Sequence, residues 1–400
     1  MKKLILKIIK LFTKDDDKLG AFGTPFNNLQ SNIKQPYKIV ATDGSGDYNC
    51  NGTDDQTEIN SAIDAVNTAG GGAVYLRAGT YTISSNVVIK SNIILRGEGE
   101  ATVIKLEDEA TLSSAGLIRA VDGASHFVLE NFVVDGNKSN QTSGTNKYGF
   151  YCGESGDVSE YLILRNLHVK DCSGYGLDPH ELTRYMLIED CLVENNGDAS
   201  NDFDGITTDY CEYSVIKNNI VKGNQRHGIN IVTTSSNNVY IGNICEDNGD
   251  HGITINGSSD CVISNNVCID NTQNGIYATS ADDNNISDNY VSGNQQHGIK
   301  LYKSSYNVIS NNKLKNNSQQ TNNGYNEIIL DDGSSIYSTY NIVSSNHIRC
   351  VETNKAKYGI REDAAGNDYN IITGNIATGA VTTNISSQGA NSVSANNIAP

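Results

Sequence analysis

The sequence contains no tryptophan, two methionines and four prolines in 400 residues. Large apolar side chains of the kind that fill an ordinary globular core are therefore scarce. No Pro- or Ser-rich linker and no block of like charge divides the chain. With 38 glycines and abundant Asn, Ser, Ile and Val in the second half, the composition favours one elongated repeat body over several compact domains.

Basic side chains are also scarce, because 29 Lys and Arg stand against 46 Asp and Glu, giving a formal net charge of -17 and a pI near 4.7. General binding of nucleic acid or of an anionic membrane requires clustered Lys and Arg, so we expect neither. A polyanion would still bind where a groove is locally basic, or where a divalent cation bridges like charges. No apolar run is long enough to cross a bilayer, so no membrane span is expected.

Residues 1–37 are predicted to form a basic amphipathic extension before the main domain. Four lysines are spaced 4, 3 and 4 residues apart, which places them on one face of a helix: Lys3, Lys7, Lys10 and Lys14. Because Lys7 and Lys10 interrupt the apolar run and no small-residue cleavage site follows, a standard signal peptide is not expected. Such a helix would lie on a membrane surface or against a partner; a frayed tail is the alternative.

The organising feature of the chain is a glycine followed by an apolar residue, recurring every 23 or 24 residues at Gly205, Gly228, Gly252, Gly275 and Gly298. An asparagine recurs in phase with it, at Asn219, Asn243, Asn266, Asn289 and Asn312. This period is too short for two helices, and each unit holds short alternating β runs separated by Asn/Gly/Ser turns. One turn of a parallel β-solenoid fits, with recurrent Asn side chains stacked in ladders.

The N-terminal end of such a solenoid needs a cap, because its first coil exposes strand edges and core. Residues 53–69 place four apolar side chains on one helical face, namely Ile59, Ala62, Ile63 and Val66. Acidic residues crowd the start of this segment, and Gly70–Gly72 end it. The predicted fold is therefore all-β, a right-handed parallel β-helix over residues 38–400 with an N-terminal capping α-helix.

Nine cysteines occur, none of them in a CxxC pair. Cys245 and Cys268 lie one repeat apart, so they are expected to stack on neighbouring coils. Either a buried pair of thiols or a disulfide fits this spacing, and the redox compartment stays undecided.

One coil departs from the pattern of the others. When coils are aligned on their glycine, the residues two and four positions later point outward on the same strand. The Gly176 coil holds Asp178 and His180 there, and the next coil holds Asp209 at the place equivalent to His180. His180 and Asp209 are therefore predicted to lie within contact distance on adjacent coils.

Pro179 strengthens the case for this coil, because it is the only proline in the solenoid body and proline is normally excluded from a central strand. Tyr175 adds a phenol at the edge of the same surface. An imidazole and a phenol on opposite sides of a sugar ring could remove one proton and return another. The alternatives are a metal site formed by His180 and the two aspartates, or aspartates that only bond turns beside an exposed histidine.

Three further residues are candidates for substrate binding. Arg226 stands two residues before its glycine, where the regular coils carry Asp or Gln, and it is predicted to face the neighbouring coil. His227 occupies a position that other coils also fill with histidine, so a turn-packing role is its alternative. Lys138 lies in a loop two coils before Asp209. Its side chain either extends over the cleft or is solvated in the loop.

These segments resemble the catalytic module of secreted bacterial mannuronan C5-epimerases. The resemblance rests on Tyr175-Gly-Leu-Asp-Pro-His-Glu-Leu-Thr183, Asp204-Gly-Ile-Thr-Thr-Asp-Tyr210, Arg226-His-Gly-Ile-Asn-Ile-Val-Thr233 and Asp135-Gly-Asn-Lys138. It implies C5 epimerisation of β-D-mannuronate to α-L-guluronate in polymeric alginate. It also implies that Tyr175, Asp178, His180 and Asp209 are catalytic, and that Lys138, Arg226 and His227 line the sugar subsites.

The resemblance implies calcium dependence as well, although no calcium-ligand loop is evident in the sequence, and no organic cofactor is expected. Two other functions remain possible at this stage: an alginate lyase that uses the same first step, and a non-catalytic, tailspike-like solenoid that binds glycans. The expected partner is alginate or a related polyuronate, bound by a monomer. A polymeric substrate implies an extracellular or cell-surface location, by an export route that the sequence does not indicate.

Overall fold

The computed structural model describes residues 36–142, 145–153, 156–198, 203–333 and 336–400. The predicted basic helix at the N-terminus falls on residues 1–35, which lie outside the described ranges. The first strand begins at Tyr37, one residue before the predicted start of the main domain. All statements about the fold below refer to the described ranges.

The described strands form stacked parallel sheets, which confirms the predicted right-handed parallel β-helix. One sheet has twelve strands, stacked in chain order: Val87–Ile89, Ile118–Ala120, Phe150–Cys152, Leu177–Pro179, Ile206–Asp209, Ile229–Val232, Ile253–Asn256, Ile276–Thr279, Ile299–Tyr302, Asn326–Asp331, Tyr358–Glu362 and Thr383–Ser386. We call it the twelve-stranded sheet. Its strands pair with the next coil in register, so that outward residues form straight rows along the helix axis.

A second sheet of 25 strands forms the rest of the coil wall. Its strands are Tyr37–Ala41, Tyr48–Asn49, Gly72–Leu76, Gly79–Ile83, Ile93–Arg96, Thr102–Leu106, Phe127–Asp135, Leu162–Lys170, Leu187–Glu189, Leu192–Glu194, Val215–Lys217, Ile220–Lys222, Val239–Ile241, Ile244–Glu246, Val262–Ser264, Val267–Ile269, Asn285–Ser287, Tyr290–Ser292, Val308–Ser310, Lys313–Lys315, Ile342–Ser344, His347–Arg349, Ile371–Thr373, Ile376–Thr378 and Val393–Ala395. Ser159–Glu160 and Thr183–Arg184 form a small separate pair. Short 3-10 turns span Gly99–Ala101 and Lys138–Asn140.

Each regular coil contributes two strands to the 25-stranded sheet, and a residue in the left-handed region bends the chain between them. Asn218 (φ 55°) and Asn265 (φ 55°) are two such residues. Asparagine tolerates this conformation better than most side chains, because its short polar group can bond the local backbone. The Asn/Asp-rich turns of the sequence therefore fix where each coil bends.

Stacked Ile, Val and Leu side chains fill the interior, and the predicted asparagine ladder runs beside them. Asn219, Asn243 and Asn266 are fully buried, and each Nδ2 donates to the Oδ1 of the next asparagine at 2.9–3.1 Å. Each also donates to a backbone carbonyl, for example Asn243 to Ile216. The ladder therefore satisfies polar backbone atoms at the buried bends, where an unpaired group costs about 1–3 kcal/mol.

The helix Gln56–Thr68 closes the N-terminal end, as the sequence predicts. Its buried face consists of the four predicted side chains plus Gln56. Asp55, fully buried just before the helix, accepts bonds from the backbone N–H groups of Asn51, Gly52 and Thr82 at 2.8–3.0 Å. This carboxylate joins the entering loop to the first coils.

Cys245 and Cys268 are direct register partners on adjacent strands, which confirms the predicted stacking. All nine cysteines are buried and free, so the pair consists of two thiols and not a disulfide. No helix within the described ranges is both long and apolar enough to cross a membrane.

Candidate active site

Pro179 interrupts the twelve-stranded sheet at the coil that the sequence singles out. The N–H of Leu177 donates to the carbonyl of Gly205 in the next coil at 2.9 Å. In a parallel pair every second residue donates to the same neighbour, so residue 179 would be the next donor, but proline has no N–H. Pairing between these two strands accordingly stops at Leu177 and Ile206, whereas the following pair of strands keeps four residues in register.

A cleft of about 310 Å³ lies over this interruption. Its lining residues come from four coils: Tyr175, Asp178, His180, Thr207, Asp209, Arg226, His227, Asn230, Val232, Thr233, Thr254 and Asn256. Six of the seven site residues predicted from the sequence are among them. Outward side chains on the cleft floor are almost inaccessible, since Asp178, Thr207 and Asn230 are 2%, 4% and 5% exposed.

His180 stands between two carboxylates, as the repeat phase predicts. Its Nδ1 lies 3.5 Å from Oδ2 of Asp209 and 3.7 Å from Oδ1 of Asp178. The Asp178 carboxylate raises the pKa of His180 above its ordinary value, against the opposing effect of burial. Burial in turn raises the pKa of Asp178. The cluster therefore holds an imidazole and a carboxyl whose pKa values are both raised.

Several buried polar atoms in this cleft have no hydrogen-bond partner. They are Oδ1 of Asp178, Nδ1 of His180, Oδ1 of Asp209, Oδ1 of Asn230 and Oγ1 of Thr254. Buried polar groups are normally paired, so a concentration of exceptions on one surface indicates a place where a polar ligand completes the bonding.

Arg226 is held in the cleft by Asp204, a residue that the sequence analysis did not select. Nε and Nη2 of Arg226 donate to the two carboxylate oxygens of Asp204 at 2.7 and 2.6 Å. Asp204 is fully buried and also accepts bonds from the backbone N–H of His227, the amide of Asn230 and the hydroxyl of Thr207. Burial alone would raise the pKa of Asp204, but these bonds, led by that from Arg226, lower it overall.

Tyr175 lies in an aromatic pocket beside Arg226. Its ring packs edge-on against Phe203 and Tyr148, with centroids 4.7 and 5.1 Å away. Burial raises the pKa of Tyr175 well above its ordinary value, and the charges of Asp204 and Asp178 raise it further against the opposing effect of Arg226. The phenol is therefore protonated at neutral pH and can act as a proton donor.

The other two predicted binding residues have different positions. His227 lines the cleft, and its ring stacks on that of His251 in the next coil with centroids 4.9 Å apart. Lys138 does not line the cleft: its Nζ donates to the backbone carbonyls of Asn195 and Gly197. The ammonium group of Lys138 thus ties a loop to a turn two coils further on, and its role in sugar binding stays a prediction.

The predicted metal alternative finds little support among the described residues. Groups of three ligand-type side chains whose ligand atoms lie within 4.8 Å of one another are Cys50, Asp55 and Glu58, and Asp331, Asp332 and Asp363; the cleft aspartates and His180 do not form one. The first group contains a thiol, and its Asp55 is occupied by backbone N–H groups. In the second, Asp331 and Asp363 pair with Lys300 and Arg361. Neither set suits Ca²⁺, which prefers six or more oxygen ligands.

Asp204, buried behind the cleft, and Asn230 and Thr254, in its lining, are polar residues that the sequence did not single out. Asp204 precedes its glycine at a place where the regular coils carry His or Asn. The comparison between coils that selected Arg226 would therefore have selected Asp204 as well. Asn230 and Thr254 carry no such mark, because both are ordinary residues for an outward strand position.

Comparison with known proteins finds β-helix proteins and alginate-modifying enzymes that are similar to this chain. The family model of the right-handed β-helix region matches residues 116–266, and that of the periplasmic copper-binding protein NosD matches residues 226–326. The mannuronan C5-epimerase AlgE3 of Azotobacter vinelandii is 35% identical over 215 residues, which are 51% of this chain and 11% of that protein. Alginate lyase 7 of the same organism is 35% identical over 196 residues, 46% of this chain and 22% of the lyase.

A solved structure extends the likeness to almost the whole described fold. The A-module of the A. vinelandii mannuronan C5-epimerase AlgE4 superimposes with a TM-score of 0.79 at 28% identity, over 89% of this chain and 100% of the module. The chain is a homologue of the epimerase A-modules. The aligned region spans only 11% to 22% of the first curated epimerases that it matches.

Proposed function

We propose that this homologue of the A-modules is a mannuronan C5-epimerase, which converts β-D-mannuronate to α-L-guluronate within polymeric alginate. The observation that carries the proposal is the cleft itself. It places an imidazole, a protonated phenol, two carboxyl groups and a fixed guanidinium around one surface. Those are the groups that proton removal and return at a carbon next to a carboxylate require.

The first requirement of the reaction is to neutralise the sugar carboxylate, because its negative charge makes the C5 proton poorly acidic. Arg226 supplies a positive charge that cannot be lost near neutral pH, and Asp204 fixes its orientation. The guanidinium stabilises the charge that develops on the sugar carboxylate as the proton leaves.

The second requirement is a base and an acid on the two faces of the sugar. His180 is the proposed base: in its neutral form it accepts the C5 proton, and the imidazolium is then stabilised by Asp178 and Asp209. Tyr175 is the proposed acid, because its raised pKa keeps a proton on the phenol until the carbanion forms. After proton return from the opposite face, the configuration at C5 is inverted and no bond in the sugar chain is broken.

A polymer substrate suits a cleft whose lining extends over four successive coils. We propose that the working unit is a monomer, since one chain supplies every group named above. We also propose an extracellular or cell-surface location, because alginate is too large to enter a cell. Calcium dependence remains a proposal taken from the resemblance alone, and no step of the mechanism above requires it.

Proton NMR of poly-mannuronate incubated with the protein in heavy water tests the proposal, with parallel samples with and without calcium. New guluronate signals, deuterium at C5 and no unsaturated chain ends are expected. His180→Ala and Tyr175→Phe should each lower the rate by about 10²–10⁴-fold, the usual range for a general acid or base. Wild-type protein that leaves both the sugar composition and the C5 protons unchanged would refute the proposal.

Alginate lyase activity is the second candidate, favoured by the similarity to alginate lyase 7. Both reactions begin with the loss of the C5 proton. In the lyase the resulting carbanion expels the 4-O-linked sugar, and an unsaturated end remains. Ultraviolet-absorbing ends without new guluronate in the same experiment would favour the lyase over the epimerase.

A further inference from the structure

The row of outward residues that passes through Asp178 continues well beyond the cleft. Register partners along the twelve-stranded sheet place these residues one after another on successive coils: Tyr151, Asp178, Thr207, Asn230, Thr254, Tyr277 and Lys300. Coils of a parallel sheet are spaced by about 4.8 Å, so Lys300 lies about 19 Å along the axis from Thr207. We call this row, from Asp178 to Lys300, the axial row.

Between the cleft and Lys300 the axial row contains polar side chains that could bind a ligand. Asn230 and Thr254 are 5% and 4% exposed, and each has a buried oxygen without a hydrogen-bond partner. These atoms lie one and two coils beyond Thr207, on the side towards Lys300. A ligand that completes their bonding therefore extends from the catalytic cluster in that direction.

Lys300 is the first cation of the axial row on this side of the cleft. Its Nζ lies 5.9 Å from the ring centroid of Tyr277 and 5.2 Å from that of Tyr302, so two tyrosines flank the ammonium group. The same Nζ is 2.7 Å from Oδ2 of Asp331, which uses one of its three N–H donors. The side chain is 21% exposed, so the ammonium group is held in place but still accessible.

The residues after Lys300 mark an end to the row. Ile329, the next register partner, offers no polar group, and Asp331, Asp332 and Asp363 gather beside it. A polyanion that runs along the axial row would meet a positive charge at Lys300 and negative charges immediately afterwards. Arg361, one coil further along the row, bonds Asp363 and Ser386, so Lys300 is the cation of this row that a chain leaving the cleft reaches first.

We propose that Lys300, flanked by Tyr277 and Tyr302, is a distal subsite that binds the carboxylate of a uronate several sugars away from the one being epimerised. The proposal rests on the proposed function, because it takes a polyuronate as the occupant of the axial row. An extended 1,4-linked uronate chain carries one carboxylate per sugar, so a chain that spans the row presents one near Lys300. The subsite makes the enzyme prefer chains long enough to reach it.

Oligomannuronates of increasing length test this subsite. In the wild type, kcat/KM should rise with length until the chain reaches Lys300 and then stay constant. Lys300→Gln should lower the ratio of kcat/KM for long over short oligomers by about fivefold, the size expected of a partly exposed ion pair. Lys300→Arg should retain most of the ratio, and Asp331→Asn should increase it by releasing the ammonium group.

Lys313→Gln is the matched control, because its ammonium group also lies over a tyrosine ring, 5.6 Å from Tyr290, but on the 25-stranded sheet. For Lys313→Gln the ratio of kcat/KM for long over short oligomers should equal that of the wild type. Circular dichroism melting checks that each variant folds. An unchanged ratio in Lys300→Gln would overturn the proposal.

Calorimetric binding of the same oligomers separates the failure of the distal subsite from the failure of the proposed function. If the protein binds long chains in a Lys300-dependent way without epimerising them, only the proposed function fails. If Lys300→Gln binds them as the wild type does, or the wild type binds none, the subsite fails.

Discussion

The pair formed by Asp204 and Arg226 permits a prediction whose size follows from the contacts. In Asp204→Asn the introduced amide has nearly the same shape, so the packing of the turn is kept. The hydroxyl of Thr207 can reverse its bond, and the amide of Asn230 can rotate so that its unpaired Oδ1 accepts from the new N–H group. Arg226 then keeps the bond from its Nε to the amide oxygen but loses the bond from its Nη2, which would face a donor.

The expected cost is the loss of one charge-assisted hydrogen bond and of the attraction between the guanidinium and the buried carboxylate, reduced because the Arg226 side chain is 27% exposed. We expect the free energy of unfolding to fall by about 2 kcal/mol, measured by urea denaturation at pH 7. Since the carboxylate of Asp204 has a lowered pKa in the fold, its contribution is present above the ordinary pKa of aspartate and disappears as the pH falls through the lowered value. Wild type and variant should therefore converge in strongly acid solution.

Activity separates the structural part of this effect from the chemical part. With one hydrogen bond in place of two, Arg226 is held less firmly in direction, so kcat/KM on poly-mannuronate should fall by about tenfold. The double variant Asp204→Asn, Arg226→Gln removes the unpaired charge and should recover part of the lost stability but none of the activity. If Asp204→Asn unfolds and turns over as the wild type does, Asp204 does not position Arg226.

Three further predictions concern other parts of the molecule. Pro179→Ala restores a backbone donor, so the free energy of unfolding should stay equal or rise by up to about 1 kcal/mol. The kcat should fall, because the strand would then pair with its neighbour beyond Leu177 and shift His180. An unchanged kcat would contradict this. In Asp178→Asn the acid limb of the pH profile of kcat/KM should move to lower pH, since Asp178 is the main cause of the raised pKa of His180. An acid limb at the same pH as in the wild type would argue against His180 as the base. Burial raises the pKa of Glu327 from 4.5 to about 7, so stability present below pH 4.5 should be lost as the pH rises towards 7, and Glu327→Gln should flatten melting temperatures across this window.

The repeat phase was enough to predict the solenoid and most of the cleft. A fixed coil length converts a separation along the sequence into a position on the surface, so Asp209 could be placed beside His180 without any knowledge of side-chain packing. The same reasoning fails for Lys138, because its loop lies outside the regular coils. The position of its ammonium group depends on contacts with the turn at Asn195 and Gly197, which no periodic pattern encodes.

Asp204 was missed for a different physical reason. Asp204 precedes its strand, as Arg226 precedes its own, but it is fully buried, and the repeat pattern does not show that burial. A buried carboxylate in a solenoid core is costly unless it is bonded on all sides, and here five donors surround it. The repeat pattern marks Asp204 as unusual, because the regular coils carry His or Asn at this position, but it does not show which donors would satisfy a buried acid.

The distribution of unsatisfied polar atoms connects the fold to the proposed chemistry. In most of the described solenoid the asparagine ladders satisfy the buried backbone, so the repeat tolerates many polar residues at little cost. Five buried side-chain atoms of the cleft and its floor nevertheless have no hydrogen-bond partner. Pro179 adds the loss of a ladder bond at the same place. A scaffold with regular, well-bonded coils on both sides can carry such a concentration of unpaired groups, and the substrate is the partner that would satisfy them.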